Sequence, residues 1–166
     1  YGAIFQRHWL DGMRAKIGLA TSEEGDLDLV QALLTAMHKG GADFTLTFRR
    51  LCDSARDPAG DATFSATFAA AETVQPWLQD WRQRLSRETA TPEARSNAMK
   101  AVNPAYIPRN HRIEQAIAAA TNDGDFSLFE ALVEVTAKPY EDQPHFAAYQ
   151  EPPKPEEEVL QTFCGT

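Results

Sequence analysis

The chain of 166 residues contains only two cysteines, Cys52 and Cys164. Disulfide scaffolds are short, secreted and dense in cysteine, so this composition excludes that class and favours a reducing compartment such as the cytoplasm. No apolar run approaches the roughly 18 residues that a membrane span needs. The first residues also lack the basic and then apolar order of a signal peptide. We therefore expect no membrane partner.

Basic residues are also scarce. Lysine and arginine number 16 against 24 acidic residues, which gives a net charge of -8. This charge repels phosphate groups, and no stripe rich in lysine and arginine interrupts it. Nucleic acid is therefore not an expected partner, and the acidic balance disfavours a helix-turn-helix interpretation of residues 108–120.

Recognisable catalytic and metal-binding motifs are absent as well. A kinase-like enzyme needs a glycine-rich phosphate loop, a phosphate-binding lysine and ligands for Mg²⁺, and none of these is recognisable here. Asp123-Gly124-Asp125 is better explained by a helix end and a helix start than by a calcium loop. The histidines form no pair at helical spacing, so no zinc site is predicted. They are His8, His38, His111 and His145.

Apolar residues, in contrast, recur at steps of three and four along most of the chain. Asp26, Asp43 and Thr91 each stand where a helix needs an N-cap residue. Residues 64–72 are also expected to be helical, although their threonines are β-branched. No alternating pattern bounded by hairpin turns is present. We therefore predict an all-α fold of roughly seven or eight short helices.

A proline-punctuated elbow separates the later helices. Asn103 precedes Pro104 and Ile107 precedes Pro108. The proline ring sterically disfavours the α conformation of the residue before it. Pro108 is expected in the first turn of the next helix, and Asp125 is expected to cap the helix after that. The predicted buried residues of these two helices are Ile113, Ala116, Ile117 and Ala120, and then Phe126, Phe129, Leu132 and Val133.

Arg109 and Asn110 place two polar side chains just after this elbow. In the favoured interpretation they are structural, together with Asn103 and Pro104, because a guanidinium offers several donors to the free carbonyls of such a corner. In the competing interpretation Arg109 pairs with an acidic group of another domain.

The composition changes after Lys138, since five of the ten prolines lie beyond that residue. We predict a helical domain over residues 1–138 and an extended, proline-rich tail over residues 139–166 that is stabilised mainly by docking.

Trp77 and Trp81 share one face of a predicted helix. Core packing is the favoured interpretation. The alternative is a partner-binding groove, which would make the chain a stand-alone helical interaction module with no enzymatic context.

Four groups of residues follow one another with distinctive spacing. The first two are Trp9-x-x-x-Met13-Arg14-x-Lys16-x-Gly18-Leu19 and Asp43-Phe44-Thr45-x-x-Phe48-Arg49-x-Leu51. The third is Met99-x-x-x-Asn103-Pro104-x-Tyr106-Ile107-x-Arg109-Asn110-His111, followed by Glu114-x-Ala116-Ile117 and Gly124-Asp125. The fourth is Pro139-Tyr140-x-x-Gln143-Pro144, followed by Tyr149, Pro152-Pro153 and Cys164. Together they resemble the C-terminal region of the selenoprotein O family, called YdiU in bacteria, whose members are kinase-like protein adenylyltransferases.

This resemblance implies a parent enzyme that moves AMP from ATP, with Mg²⁺, onto Ser, Thr or Tyr hydroxyls of protein substrates. In that family the adenylylation machinery lies in a preceding kinase-like domain, so the resemblance assigns no catalytic residue, nucleotide ligand or metal ligand to this chain. We expect a fragment, starting at Tyr1 rather than at methionine, that is inactive alone and supports the N-terminal kinase-like domain of the same protein.

The resemblance also implies a redox role for Cys164. The matching position is selenocysteine or cysteine in the family and can bridge to a cysteine of the kinase-like domain. This chain ends Phe163-Cys164-Gly165-Thr166, where Ser-Cys-Ser-Ser is common. The alternative is an ordinary surface thiol. Cys52 lies among apolar residues of a predicted helix and is expected to be inert.

Overall fold

The computed structural model describes residues 2–159, and this part of the chain consists of helices joined by short turns. It contains eight α-helices, four short 3-10 helices and no β-strand, which confirms the predicted all-α fold. None of these helices is long and apolar enough to cross a membrane. The α-helices are α1 (Gly2–Lys16), α2 (Asp26–Lys39), α3 (Phe44–Arg56), α4 (Asp61–Ser65), α5 (Gln75–Leu85), α6 (Pro92–Val102), α7 (Asn110–Asp123) and α8 (Ser127–Ala137). The 3-10 helices are Pro58–Gly60, Ala71–Val74, Pro144–Tyr149 and Pro155–Glu157.

The chain divides into two compact units, Tyr1–Asn103 and Pro104–Thr166. The first unit contains α1 to α6, and the second contains α7, α8 and the segment after them. The predicted boundary between the helical domain and the tail lies after residue 138. In the structure, residues 139–159 belong to the same compact unit as α7 and α8.

The first unit is built around one apolar core that all of its larger helices supply. α3 packs against α6, and α2 packs against α5. Gly18 follows α1 with φ 81°, and a Cβ atom there would lie 2.8 Å from the Met99 sulfur. A glycine is therefore required at the end of α1 both for its backbone conformation and for the close approach of α6. The fully buried apolar side chains of this core include Ile17, Val30, Leu33, Phe48, Leu51 and Phe64.

Two of the three predicted N-caps of the first unit are confirmed. The carboxylate of Asp43 accepts a hydrogen bond from the Leu46 amide at 2.7 Å, and the Thr91 hydroxyl accepts one from the Ala94 amide at 3.2 Å. The prediction for Asp26 was wrong. The residue before α2 is Gly25, and Asp26 is the first residue of the helix itself.

Asp26 is instead the centre of a buried ion-pair cluster. Its carboxylate accepts hydrogen bonds from the Arg14 and Arg84 side chains, both at 2.8 Å, and from the Glu23 amide at 2.9 Å. Arg84 also pairs with the buried carboxylate of Glu88 at 2.8 Å. Burial opposes ionisation of Asp26, but the hydrogen bonds from Arg84, Glu23 and Arg14 outweigh it and hold the pKa of Asp26 below its ordinary value. The cluster therefore joins α1, α2 and α5 through charges that are paired.

The helix predicted over residues 64–72 was also wrong in extent, because α4 ends at Ser65. The Thr67 hydroxyl donates to the Phe64 carbonyl at 2.8 Å, and the Ala69 amide donates to the Gly40 carbonyl at 3.0 Å. Through these two bonds, backbone groups of this segment have hydrogen-bond partners without forming a helix. The chain therefore turns here and becomes helical again only at Ala71–Val74.

In the second unit, α7 and α8 pack against each other. α7 begins at Asn110, two residues after the predicted Pro108, and ends at Asp123. Gly124 follows it with φ 67°, as expected for the predicted glycine at the helix end. The Asp125 carboxylate accepts a hydrogen bond from the Ser127 amide at 2.9 Å, although the residue directly before α8 is Phe126.

The predicted buried faces of these two helices were largely wrong. Ala116 is buried, but four predicted core side chains are between 52% and 58% exposed. The physical reason is that the second unit has no further α-helix within residues 104–159 to cover this side of the pair. The exposed side chains are Ile117, Phe126, Phe129 and Val133.

The small core of the second unit lies elsewhere, around the elbow and the tail. Buried Tyr106 and Val135 pack with Ala105, and Phe146 and Tyr149 of the tail cover them. The described part of the tail therefore docks on the elbow, with two short 3-10 turns between extended residues.

Candidate functional site

Asn103, the first predicted structural residue of the elbow, is completely buried in the first unit. Its amide nitrogen donates to the Lys16 carbonyl at 2.8 Å, and its side-chain oxygen accepts from the Lys16 ammonium at 3.2 Å. The backbone carbonyl of Asn103 accepts from the Arg49 guanidinium at 3.0 Å. One side chain thus joins the ends of α1 and α6, next to the half-buried Pro104.

Cys52 belongs to the same buried polar cluster. Its thiol donates to the Phe48 carbonyl at 3.2 Å, and the Asn103 amide nitrogen lies 3.5 Å from its sulfur. Burial raises the pKa of Cys52 to about 11, a shift that the hydrogen bond from Asn103 only partly offsets. Because the thiolate is the reactive form, this protonated and inaccessible thiol is a poor nucleophile.

Arg109 is buried in the second unit, and its guanidinium donates to the Gln150 carbonyl at 2.8 Å. Arg112 donates in the same way to the Ala148 carbonyl at 2.8 Å and lies over the Tyr149 ring at 5.5 Å. Arg109 was predicted to bind carbonyls of the elbow, and the structure shows it bound to a carbonyl of the tail, 41 residues later. Asn110 is the exposed first residue of α7.

The tail is also held by hydrogen bonds between Tyr106 and Gln143, neither of which was predicted as a site residue. The Tyr106 hydroxyl donates to the Gln143 carbonyl at 2.8 Å and accepts from the Gln143 amide at 3.1 Å. The Pro139 carbonyl accepts from the amides of Ala105 and Tyr106 at 2.7 and 3.1 Å. Both Tyr106 and Gln143 lie in the spaced motifs, which is the only signal in the sequence that marks them.

His111 is buried in the first turn of α7, between the two arginines that hold the tail. Burial lowers the pKa of His111, and the positive charges of Arg112 and Arg109 lower it further, whereas Glu157 acts in the opposite direction. The surroundings of this imidazole therefore disfavour its protonated form where the tail docks.

Trp77 and Trp81 lie in the core of the first unit with rings stacked 5.6 Å apart. The Trp77 indole N–H donates to the Leu29 carbonyl at 2.9 Å, and that of Trp81 donates to the Ile17 carbonyl at 2.8 Å. Because they are 5% and 0% exposed, they provide no face on which a partner could dock. The interaction module built on these tryptophans is therefore not supported.

An apolar groove of about 400 Å³ lies on the second unit, between α7 and α8. Almost all of its lining is aliphatic or aromatic, and Thr136 is the polar exception among the residues that form it. The side chains that define this α7–α8 groove are Ile113, Ala116, Ile117, Phe126, Phe129 and Val133.

The described residues bring together no group of three or more histidine, cysteine, aspartate or glutamate side chains that could hold a metal ion. Cys164, the predicted redox residue, lies outside residues 2–159 that the structure describes.

Comparison with known proteins identifies one family. The family model described as protein adenylyltransferase SelO matches residues 1–137. A protein nucleotidyltransferase YdiU from Rhizobium meliloti (strain 1021) is 64% identical over 166 residues, which is 100% of this chain and 34% of that protein. The YdiU protein of Bradyrhizobium diazoefficiens is 54% identical over 162 residues, which is 98% of this chain and 33% of that protein. The chain thus spans about a third of the length of the curated relatives it matches.

Proposed function

Since this chain belongs to the protein adenylyltransferase SelO family, we propose that it is the helical supporting part of a longer bacterial enzyme that transfers AMP from ATP to proteins. The observation that carries the proposal is the 64% identity to a protein nucleotidyltransferase over the whole chain, together with its coverage of only 34% of that relative. The chain contributes two compact helical units, and the catalytic groups belong to the rest of the protein. We place this enzyme in the cytoplasm, in keeping with its low cysteine content.

In the proposed reaction, a Ser, Thr or Tyr hydroxyl of a protein substrate attacks the α-phosphorus of ATP. A bond forms between that oxygen and the phosphorus, the bond to the β-phosphate oxygen breaks, and pyrophosphate leaves while the hydroxyl proton passes to a base. Mg²⁺ neutralises charge on the phosphates in such transfers. The proposal assigns none of these roles to residues 2–159.

The experiment that tests this proposal follows the phosphorus of ATP. The full-length protein is incubated with Mg²⁺ and a protein substrate, once with ATP labelled at the α-phosphate and once with ATP labelled at the γ-phosphate. We expect label on protein only from the α-position, since AMP and not phosphate is transferred. The 166-residue chain alone serves as the control and is expected to bind no ATP in calorimetry.

Two results contradict the proposal. Transfer of the γ-label would show a protein kinase, and turnover of ATP by the 166-residue chain alone would place catalytic groups within it.

For Cys164 we propose a redox role in the same enzyme. Its thiol and a second cysteine of the longer protein would form a disulfide, and an oxidant such as hydrogen peroxide would accept two electrons and two protons to give water. Cys52, the other cysteine of this chain, is buried, which makes it a poor target for an oxidant.

Replacing Cys164 by serine in the full-length enzyme should abolish any change in AMP transfer caused by peroxide. The matched control is Cys52→Ala, which removes the other thiol of this chain and should keep the response. An unchanged response in Cys164→Ser would exclude this cysteine as the switch.

A further inference from the structure

The α7–α8 groove is an apolar surface that nothing within residues 2–159 covers. Phe126 directly before α8, Phe129 and Val133 of α8, and Ile117 of α7 each expose more than half of their surface. All four side chains line one groove. Scattered apolar side chains are normal on protein surfaces, but a contiguous patch of this kind marks a contact surface.

The composition of α8 makes the same point from the sequence. The helix SLFEALVEVTA is among the most apolar of the chain, yet Val135 is its only fully buried residue. Its two charged residues, Glu130 and Glu134, lie outside the groove lining. The helix therefore has one polar side for water and one apolar side that requires a second surface against it.

We propose that the α7–α8 groove docks on the part of the longer protein that lies outside this chain. This inference rests on the proposed function, in which the chain is one piece of a larger enzyme. About two thirds of the length of the curated relatives is not represented here, so a large surface of the same polypeptide is present to cover the groove. Because the groove has almost no polar lining, the docking surface must be apolar and free of unpaired charge.

The family match favours this occupant over the end of the chain. It covers residues 1–137 and so includes both helices up to the last residue of α8, whereas residues 160–166 lie beyond it. The two helices are thus part of the architecture that defines the family. A covering surface supplied by the same longer protein explains why an apolar face is built into that architecture.

Neighbouring positions on one helix provide a direct test in the full-length protein. Val133→Cys places a thiol in the groove, and Glu134→Cys places one on the exposed polar side of α8. The rate of maleimide labelling at each position is measured by mass spectrometry of the peptide that contains it. We expect the thiol at position 133 to react at least tenfold more slowly than the thiol at position 134.

A second pair repeats the test on α7, so that the result does not depend on one substitution. Ile117→Cys lies in the groove, and Ala118→Cys lies beside it on exposed surface. Equal labelling rates within both pairs would overturn the proposal.

Two other occupants give distinct results, and each would also overturn it. Protection that disappears on dilution, with a dimer detected by light scattering, would assign the groove to a second copy. Protection that disappears when the protein is truncated after Val159 would assign it to residues 160–166. The AMP-transfer assay on the same samples separates this inference from the proposed function. AMP transfer by a protein whose groove thiols react freely would contradict only the proposed docking. Protected groove thiols in a protein that transfers no AMP would contradict only the proposed function.

Discussion

Phe48 and Leu51 in the first unit are at most 1% exposed, whereas Phe126 and Phe129 in the second unit are 58% and 55% exposed. All four residues follow the same helical spacing in the sequence. The difference between them is that α3 belongs to a unit with five other α-helices and packs against α4 and α6, whereas α7 and α8 have only each other and the described part of the tail. Periodicity therefore identifies the side of a helix that avoids water, but it does not identify what covers that side.

The two units also bury polar groups in different ways. The first unit has buried ion pairs, such as those of Asp26 with Arg14 and Arg84, in addition to arginine bonds to carbonyls such as that from Arg49 to Asn103. The second unit joins arginines to backbone carbonyls of its tail, from Arg109 to Gln150 and from Arg112 to Ala148. A buried ion pair fixes helices that are far apart in sequence, whereas arginine bonds to carbonyls fix a segment that has few hydrogen bonds of its own.

The largest expected effect on stability tests the difference between the buried apolar residues of the first unit and the exposed ones of the second. In the 166-residue chain, Phe48→Ala should cost about 3–5 kcal/mol of unfolding free energy, because it leaves a cavity in a closed core. The matched substitution Phe129→Ala should stay within about 0.5 kcal/mol, because its side chain is already half in water. Equilibrium urea unfolding measures both values.

In the full-length protein the same pair sharpens the comparison. Phe129→Ala should become clearly destabilising there if the α7–α8 groove is covered, while Phe48→Ala should cost the same as before. If Phe129→Ala were as costly as Phe48→Ala in the 166-residue chain itself, the two units would not differ in the way the structure shows.

A smaller effect is expected at the polar contacts that hold the tail. Tyr106→Phe removes the hydroxyl that bonds the amide and the carbonyl of Gln143. Leaving these buried groups without a partner should cost about 1–3 kcal/mol. Hydrogen exchange of the amides in residues 139–157 should accelerate while that of α3 stays unchanged.

The control for this variant is Tyr140→Phe, which removes a hydroxyl from an exposed tyrosine of the same segment. It should leave exchange in the tail unaltered. Equal acceleration in both variants would mean that the Tyr106 hydroxyl has no special role in docking the tail.

These contrasts explain what the sequence could and could not predict. The caps Asp43 and Thr91 and the proline elbow were predictable because each depends on a few adjacent residues. The role of Asp26 was not, because its partner Arg84 lies 58 residues away and local rules favour a cap at an aspartate before a helix. The early end of α4 has a similar cause, since the Ala69 amide bonds to the distant Gly40 carbonyl.

The candidate site shows the same division. The guanidinium of Arg109 has several donors, so its binding to backbone carbonyls was predictable. The identity of the Gln150 carbonyl as an acceptor was not, because the fold brings that residue close. Cys52 was predictable as an inert thiol from its apolar neighbours, whereas its contact with Asn103 joins residues 51 positions apart in the sequence. The exposure of the α7–α8 groove was the least predictable feature. The proposed docking explains this, because it places the covering surface outside the 166 residues of this chain.

The smallest expected effect concerns pH and is confined to the second unit. His111 has a pKa below the ordinary value of about 6.5, because burial and then the charges of Arg112 and Arg109 disfavour its protonated form. The unfolded chain therefore binds a proton as the pH falls through that value, while the folded chain does not yet do so. Stability should be fully present above the ordinary histidine pKa and decrease as the pH falls below it.

Hydrogen exchange of residues 139–157, corrected for the intrinsic effect of pH, measures this loss where the tail docks around His111. His111→Gln should reduce the dependence, because no imidazole remains there to be protonated in the unfolded chain. His145→Gln, which changes an exposed histidine of the same segment, should keep the dependence of the unaltered chain. Exchange that slows as the pH falls would contradict the predicted sign, because it would require His111 to bind its proton more tightly in the folded chain than in the unfolded one.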